Sequence, residues 1–598
     1  MSIRRIAEHF LVVVLILLLD ALVLAAQQVP GGRVLVLRGA TVINGLGDPP
    51  ILDGVVVIED GKIAAVGGKE TAYPSDATVI DLPGKFIIPG LIDSHSHYEE
   101  WMGEVYLNHG VTTALAIGGN FGKRKEAWQQ SNSRTPRIFD TAGDARIRSG
   151  MKEEEVRAIV REWLKTKPDF ARLDDYNESF SQVWRWAAEE IGNAGLMIFG
   201  HTMNAPESIR GGQDVVEHIW GFVTPLMSAK EFEDFQSGRF LHWSLFLKDS
   251  AKLDQEIQEA IARRAYVNPT FVYELGSLSA AAARQEQEIY RLYSDPLLMA
   301  YYPQNIAQSL LQKQRQIRNF SGKYENLVLL SRLTAAEREE FNGGYRLAGQ
   351  FLKRYVQAGG KLMAGTDTVS GGTPGLGLHH EMELLVEAGL TPMQALQAAT
   401  IWSAEMLTGK GGKLGPPKIG FLGKNAFADL VILTANPLDD IRNTQRIERV
   451  MKGGNFIKLG YDPSYFSFSR PPRKIAMATP VPEISEITPH TVLEGSPDLE
   501  LLVRGVGFVG NSVVRVDNVS MPTTFVNPRV IKAKVPASLF RSATPNPYDA
   551  PGPEQHIGVF GDRTMPVTVY NPPPEGGTSN SVSLRMRAKW MGLEDTNQ

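Results

Sequence analysis

Short apolar runs alternate with longer stretches of helical character from about residue 86 to residue 408. Alternation of this kind predicts parallel strands joined by crossover helices, and therefore an α/β fold. Within this region Thr391, Pro392 and Gln394 predict the start of a helix, because they combine a capping threonine with proline at the first helical position. The predicted strands include Phe86–Ile88, Thr112–Ile117, Leu196–Phe199, Val215–Val216, Tyr266–Val267 and Lys361–Met363.

Metal-binding side chains lie at the carboxyl ends of four of these runs. They are His95, His97, His201, His218 and Asp367, and the whole chain has only 11 histidines. In a (β/α)8 barrel the active site is built at this end of the strands. Imidazole and carboxylate groups bind Zn²⁺ and related cations. Five such residues from four strands are difficult to explain as core packing or as solvated loops.

Three motifs carry a resemblance to a known family. They are the stretch from Asp81 to His97, the pair Ala364–Asp367 and Leu378–Pro392, and the stretch Ala428–Leu438. Their sequence and order resemble the amidohydrolase superfamily, most closely the imidazolonepropionase-like hydrolases and the secreted Xaa-Pro dipeptidases. The resemblance covers about residues 33–457. It implies a TIM-like (β/α)8 barrel over residues 86–408, flanked by a β subdomain built from residues 33–90 and 408–460.

The resemblance also implies a metal centre, and the position of Arg172 affects how many ions it holds. Many binuclear relatives have a carboxylated lysine where this chain has Arg172, unless the register is displaced towards Asp174 or Asp175. A guanidinium stays cationic and has no lone pair, so it cannot bridge two metal ions. Arg172 could face an anionic group of the substrate, and a structural ion pair is an equally good explanation.

The mononuclear pattern of the superfamily therefore fits better. It implies that His95, His97 and His201 bind one divalent ion, most simply zinc, with manganese and iron as alternatives. Asp367 would touch the metal and its water and act as general base. His218 would then be an acid–base or carbonyl-polarising group beside the metal.

The function expected from this pattern is hydrolysis of an amide, peptide or cyclic-amide C–N bond by a metal-activated water. The substrate would be a small molecule or peptide-like, but relatives' preferences do not transfer, because their Gly-Gly-His stretch after the third strand is absent here. The alternatives are a deaminase and a degenerate barrel that serves as a binding or surface protein. With a net charge of −4 and no basic run, nothing indicates a nucleic-acid partner. A homo-oligomer remains open.

The N-terminus has the layout of a secretory signal peptide over residues 1–26. Arg4 and Arg5 precede an apolar core, and small residues follow it. The chain has no cysteine, which excludes disulfides, a lipid-anchored cysteine and thiol catalysis. We therefore expect an exported bacterial protein, periplasmic or secreted, without a stable membrane span after cleavage. An uncleaved N-terminal anchor is the alternative.

The remaining regions are predicted as a lid, a linker and a second domain. Residues 273–358 contain long helical stretches that could cover the site. Residues 461–480 read as a linker, and residues 481–587 contain short, regularly spaced strands typical of a β-sandwich. That last region resembles an IPT/TIG immunoglobulin-like module, which implies a domain that binds a protein or a glycan rather than a catalytic one.

Overall fold

The computed structural model describes residues 34–130, 133–174, 181–236, 250–274, 278–293, 298, 316–319, 326–329, 335–368, 373–461, 481–541, 563–572 and 577–587. The chain divides into two compact units: residues 1–279, 317–328 and 334–472 form the first, and residues 280–316, 329–333 and 473–598 form the second. The predicted signal peptide and residues 462–480 of the predicted linker lie outside the described residues. Among the residues described, we find no helix with the length and apolar character needed to cross a membrane.

Strands from two distant stretches of the chain pair in one sheet of the first unit. The strands are Leu35–Val42, Ile51–Glu59, Lys62–Gly67, Thr78–Asp81, Phe86–Pro89, Leu430–Leu433, Ile447–Lys452 and Asn455–Ile457. Phe86–Pro89 runs antiparallel to Leu430–Leu433, and this pairing joins the two stretches. Val56, Ile87 and Met451 contribute to one buried apolar cluster on this sheet. The pairing is the one that a composite β subdomain requires.

The apolar run before the paired histidines is two strands, whereas the sequence predicts one. Phe86–Pro89 belongs to the β subdomain sheet, and Leu91–Ser96 belongs to the parallel strands of the same unit. Gly90 separates them. A Cβ atom on Gly90 would lie 2.2 Å from Oγ1 of Thr112, so a larger residue would not fit here without movement of its neighbours. The chain therefore changes sheets at Gly90.

Eight parallel strands are found in the described part of the first unit. In chain order they are Leu91–Ser96, Val111–Ala116, Arg137–Asp140, Ala171–Arg172, Ile198–Gly200, Val215–Glu217, Tyr266–Asn268 and Lys361–Leu362. The first three form one sheet, the other five form a second sheet, and every neighbouring pair is parallel. We number these strands one to eight.

Backbone hydrogen bonds connect the two sheets at both edges. The N–H of Asp169, just before strand four, donates to the carbonyl of Asp140 in strand three at 2.9 Å. On the other side, the N–H of Ser94 in strand one donates to the carbonyl of Ala364, just after strand eight, at 3.0 Å. The first and last strands are therefore neighbours, and the fold is TIM-barrel-like α/β.

The described α-helices lie mainly between these strands. They are Gly103–Asn108, Arg124–Trp128, Glu153–Leu164, Gln182–Asn193, Ala205–Arg210, Ala229–Gln236, Ser250–Ala262, Phe271–Glu274, Ala282–Tyr293, Ala335–Gln357, Leu376–Glu387, Pro392–Ala398 and Ile401–Ala404. The helix predicted at Thr391 is confirmed, since its hydroxyl accepts the N–H of Gln394 at 3.2 Å and the Gln394 side chain accepts the Thr391 N–H. The predicted lid is only partly described, so its role stays a prediction.

The C-terminal part of the second unit consists of two sheets that share one core. Its strands are Glu483–Thr488, Thr491–Leu493, Leu499–Val506, Val513–Val516, Val519–Ser520, Thr523–Asn527, Val530–Val535, Arg563–Asn571, Gly577–Thr578 and Val582–Arg587. Leu501 and Ile531 from one sheet and Val514 and Val567 from the other belong to the same buried cluster. Two sheets around one core agree with the predicted β-sandwich, and the IPT/TIG assignment stays a prediction.

Candidate active site

Strand one brings the two paired histidines to the carboxyl end of the parallel strands. His95 lies within Leu91–Ser96 and is fully buried, whereas His97 lies just beyond the strand with 37 % of its side chain exposed. Alternation along an extended chain puts both imidazoles on one side. Their ring centroids are 5.4 Å apart. The structure therefore places both rings together, as the sequence predicts.

Asp367 reaches the same point from the segment after strand eight. Its backbone has a φ of 49°, which is uncommon outside glycine. Its N–H donates to the carbonyl of His95 at 2.9 Å. Its Oδ1 lies 3.5 Å from Nε2 of His95 and 3.2 Å from Nε2 of His97. Two rings and one carboxylate oxygen thus converge.

This convergence fits a divalent metal ion. The ligand atoms of His95, His97 and Asp367 all lie within 4.8 Å of one another. Nε2 of His95 and Oδ1 of Asp367 are buried and have no hydrogen-bond partner among the described residues. Buried polar atoms without partners are rare, and a cation at this point would satisfy both. Burial also lowers the pKa of His95 well below its usual value, which favours the neutral imidazole that a metal needs.

His201 and His218 face each other beside this group. They follow strands five and six, and their Nε2 atoms are 3.1 Å apart. The ring centroid of His95 lies 6.3 Å from that of His201 and 5.7 Å from that of His218. Trp220 stacks on both rings, with centroids 6.1 and 6.3 Å away. All five residues of the predicted set therefore occupy one region of the fold.

Residues behind three of these rings contact them at Nδ1, so that Nε2 of each ring faces the site. We call these residues the outer partners. The partners are Glu217 for His95, the Asp174 carboxylate for His201 at 2.9 Å, and the Thr270 hydroxyl for His218 at 2.5 Å. Metal-binding histidines usually have such a partner on the ring nitrogen that does not bind the metal. The arrangement therefore agrees with rings that present Nε2 to a shared ligand.

The hydrogen bonds also fix which nitrogen of His201 donates to Asp174. Burial alone would raise the pKa of Asp174, but His201 and Arg172 hold that pKa below its usual range, so the carboxylate only accepts. Nδ1 of His201 is then the donor to Asp174. Nε2 of His201 lies 3.1 Å from Nε2 of His218, and Nδ1 of His218 lies 2.5 Å from the Thr270 hydroxyl, which donates to the carbonyl of Pro269 at 2.8 Å. His201 and His218 therefore direct Nε2 towards each other within the site.

Arg172 forms an ion pair inside this region. Its Nε donates to Oδ2 of Asp174 at 2.7 Å, and the same carboxylate binds the His201 ring. Of the two register alternatives left open by the sequence, Asp174 lies in the site through these contacts, while Asp175 lies outside the described residues. The ion pair that the sequence analysis gave as one explanation of Arg172 is therefore present in the structure.

Sequence reasoning missed the outer partners of the histidines. Glu217 directly precedes His218, and it is a fully buried acidic residue within the apolar strand six. Burial raises its pKa well above the usual value. An acidic residue in an otherwise apolar strand is a signal that could have identified it. Nothing comparable marks Asp174 or Thr270, because their contacts depend on how neighbouring strands are aligned.

We expect Glu217→Gln to weaken zinc binding about 10- to 100-fold, the usual effect of losing a residue that orients a metal-binding histidine. The amide would replace a carboxyl oxygen as the partner of Nδ1 and would hold the His95 ring less strongly. Competition with a chromophoric chelator measures the dissociation constant. The control is Glu405→Gln, which changes a carboxylate bound to Tyr266 and Lys361 at the opposite end of strands seven and eight. Equal zinc affinity in Glu217→Gln and the unsubstituted protein would contradict the role given to Glu217.

The chain is similar to known proteins over part of its length. No family model matches the chain. It is 27 % identical to an enamidase from Eubacterium barkeri over 220 residues, which are 31 % of this chain and 57 % of the enamidase. It is 38 % identical to an adenine deaminase from Listeria monocytogenes over 87 residues, 14 % of each protein. A crystal structure of a Xaa-Pro dipeptidase with bound methionine aligns with 71 % of this chain and 100 % of its own, at 17 % identity and a TM-score of 0.47.

The two sequence similarities, to an enamidase and to an adenine deaminase, agree with the resemblance to the amidohydrolase superfamily found in the motifs. The relatives are enzymes of the amidohydrolase type that act on C–N bonds. The chain spans little more than half of the enamidase and about a seventh of the adenine deaminase. The activity of this protein is therefore a matter for proposal.

Four residues with a left-handed backbone lie at this end of the parallel strands. Ala142, His218, Thr270 and Asp367 all have φ between 47° and 58°, and each follows a different strand. A β-branched residue such as Thr270 is a genuine outlier in this conformation. Strained backbone persists only where surrounding structure holds it, and it is found preferentially at functional sites. Two of these four residues, His218 and Asp367, belong to the set that the sequence analysis selected on chemical grounds.

Proposed function

We propose that this chain is an exported (β/α)8 amidohydrolase that hydrolyses an amide, peptide or cyclic-amide C–N bond with one divalent metal ion. The observation that carries the proposal is the convergence of His95, His97 and Asp367 on one point, where Nε2 of His95 and Oδ1 of Asp367 are buried without a hydrogen-bond partner among the described residues. We assign His201 as a further ligand, because Asp174 binds its Nδ1 and its Nε2 lies beside Nε2 of His218 in the same region of the fold. Export is inferred from the N-terminal sequence alone.

The residues divide the chemistry between them. A bound divalent ion would polarise the scissile carbonyl and make a water molecule more acidic. Asp367 would accept a proton from the attacking water and return it to the leaving nitrogen. His218 would donate a hydrogen bond from Nε2 to the carbonyl oxygen as negative charge develops there. The products are a carboxylic acid and an amine.

The ion pair of Arg172 supports a count of one metal ion. Its guanidinium lies 2.7 Å from the Asp174 carboxylate, beside His201. A fixed positive charge there opposes a second cation, and it offers no lone pair for one. We expect metal analysis of the purified protein to find about one tightly bound ion per chain.

Removal of the metal tests the proposed function. A pooled set of dipeptides, acylated amino acids and cyclic amides, followed by amine release, provides the assay. Dialysis against a chelator should abolish hydrolysis, and Zn²⁺ or Mn²⁺ should restore it. Two ions per chain would contradict the role of Arg172. Absence of both metal and activity would favour the alternative of a degenerate barrel that binds rather than catalyses.

Deamination is a second candidate, because the adenine deaminase similarity reaches 38 % identity over its short span. A deaminase breaks a C–N bond with the same kind of metal site, and it releases ammonia instead of an amine. Measuring ammonia with aminated heterocycles in the same assay separates the two.

We also propose that the C-terminal two-sheet region is an IPT/TIG-like module that binds a protein or a glycan, supported by its single shared core.

A further inference from the structure

Asp93 is a fully buried acidic residue of strand one that has no part in the chemistry proposed above. Its side chain accepts four hydrogen bonds. Oδ1 accepts the N–H of His95 at 3.2 Å and the N–H of Thr366 at 3.1 Å. Oδ2 accepts the hydroxyl of Thr366 at 2.7 Å and the hydroxyl of Tyr106 at 2.9 Å. These donors offset the cost of burying a carboxyl group, and they show what the side chain holds in place.

Three of the four donor groups belong to a proposed metal ligand or to the residue directly beside one. His95 donates its own backbone N–H. Thr366, which directly precedes Asp367, donates both its N–H and its hydroxyl. The fourth donor, Tyr106, lies on the helix Gly103–Asn108 that follows strand one. A single carboxyl group therefore connects the backbone of one ligand to the residue beside another ligand.

This connection matters because Asp367 has a left-handed backbone, with a φ of 49°. A residue other than glycine keeps such a conformation only where the surrounding structure holds it. The N–H groups of Thr366 and Asp367 lie 3.2 and 2.9 Å from the carbonyl of His95, and these contacts align the two segments. The two bonds from Thr366 to Asp93 also fix the residue at which the chain turns, and the Asp367 side chain projects from that turn.

We propose that Asp93 is a positioning residue that sets the distance between the imidazole of His95 and the carboxylate of Asp367. Both of its oxygens are occupied by the four donors, so it is not itself a ligand. Its effect passes through the N–H of His95 on one side and through Thr366 on the other. The consequence for metal binding rests on the proposed function, whereas the order of residues 366–368 depends on no metal or substrate.

Amide hydrogen exchange of the full-length, metal-free protein tests the positioning itself. In Asp93→Asn an NH₂ group, which cannot accept, replaces one of the two accepting oxygens. We expect peptides that cover residues 364–368 to exchange about tenfold faster, the size expected when buried hydrogen bonds to a carboxylate are lost. The matched control is Asp214→Asn, because Asp214 also accepts a backbone N–H from a neighbouring strand, that of Ile198 at 2.9 Å, but at the amino end of strand six. It should leave the exchange of residues 364–368 unchanged.

Metal binding gives a second readout, which a general loss of stability would not change. In Asp93→Asn the affinity for zinc should fall about 10- to 100-fold, as is usual when the support of a metal ligand is lost. The visible absorption bands of the Co²⁺-substituted protein should shift, because they depend on the geometry of the ligands. Asp214→Asn should change neither. Tyr106→Phe removes one donor and leaves the other three, so its effects should have the same direction and be smaller.

Each result decides for or against the positioning role. Unchanged exchange of residues 364–368 in folded Asp93→Asn would overturn it. Unchanged zinc affinity and Co²⁺ bands, in a protein that binds metal, would overturn it as well. If Asp93→Asn does not fold, Tyr106→Phe takes its place, and unchanged exchange in that variant would count against the role in the same way. An unsubstituted protein that binds no metal would refute the proposed function, and the exchange result would still decide whether Asp93 holds this segment.

Discussion

Asp367→Asn should lower kcat about 10²- to 10⁴-fold, the range typical of losing a general acid–base group. The asparagine amide keeps the shape of the carboxyl and tolerates a φ of 49°, so the strained backbone should survive. It lacks the negative charge that would accept a proton from water, and it is a poorer ligand for the cation next to His95 and His97. Steady-state rates and metal content of the same preparation give both effects.

Asp60→Asn is the matched control. Asp60 has the same φ of 49°, but it lies exposed in a turn of the β subdomain. Its substitution should change neither rate nor metal content. If Asp367→Asn retained more than about a tenth of kcat, Asp367 would not be the general base. The proton would then have to pass to another group, and His218 is the neighbour available.

Arg137→Met should reduce the free energy of unfolding of the first unit by about 3–5 kcal/mol, the usual effect of leaving one buried charge without its partner. Arg137 in strand three donates to both oxygens of Asp429, at 2.6 and 3.1 Å, and both side chains are almost fully buried. It also lies over the ring of Phe427. Methionine would fill much of the space, but the buried Asp429 carboxylate would lose its arginine partner. Urea denaturation gives the change in the midpoint of unfolding.

Arg38→Met serves as the control for the loss of an arginine. Arg38 pairs with Asp81 at 2.7 Å, yet both side chains are largely exposed. Exposed pairs are screened by water and contribute little to stability. The urea midpoint should therefore stay within error of the unsubstituted protein. An Arg137→Met midpoint equally close to it would mean that water reaches Asp429 when the guanidinium is removed.

The residues that touch the proposed cation were accessible from sequence, and the residues that orient them were not. His95, His97 and Asp367 have side chains of the types that bind metal ions, and each lies at or beyond the carboxyl end of a recognisable strand. Their convergence could be expected because carboxyl ends of parallel strands meet at one face. Glu217 contacts His95 across 122 positions of the chain. That contact depends on the stagger between strands one and six, which no local pattern encodes.

The strand boundaries show the same limit in the backbone. The apolar run before the paired histidines has the composition of one strand, and nothing in it except Gly90 marks a break. The break follows from a long-range contact, because Phe86–Pro89 pairs with a strand from residues 430–433, far away in sequence. The helix at Thr391 was predicted with its start, since its capping residues act on their own neighbours. Features that depend on neighbouring residues can therefore be predicted from the sequence, whereas contacts between distant segments cannot.

Gly90 also couples the position of the β subdomain to the end of the fold that carries the site residues. Phe86–Pro89 is held within its sheet by neighbours on both sides, and a single residue later the chain is strand one. His95 is six residues beyond Pro89, or about 20 Å of extended chain. A tilt of the sheet would be transmitted along this short, stiff segment to His95 and His97. The orientation of the two imidazoles therefore depends on the β subdomain sheet, although that sheet contributes none of the five site residues.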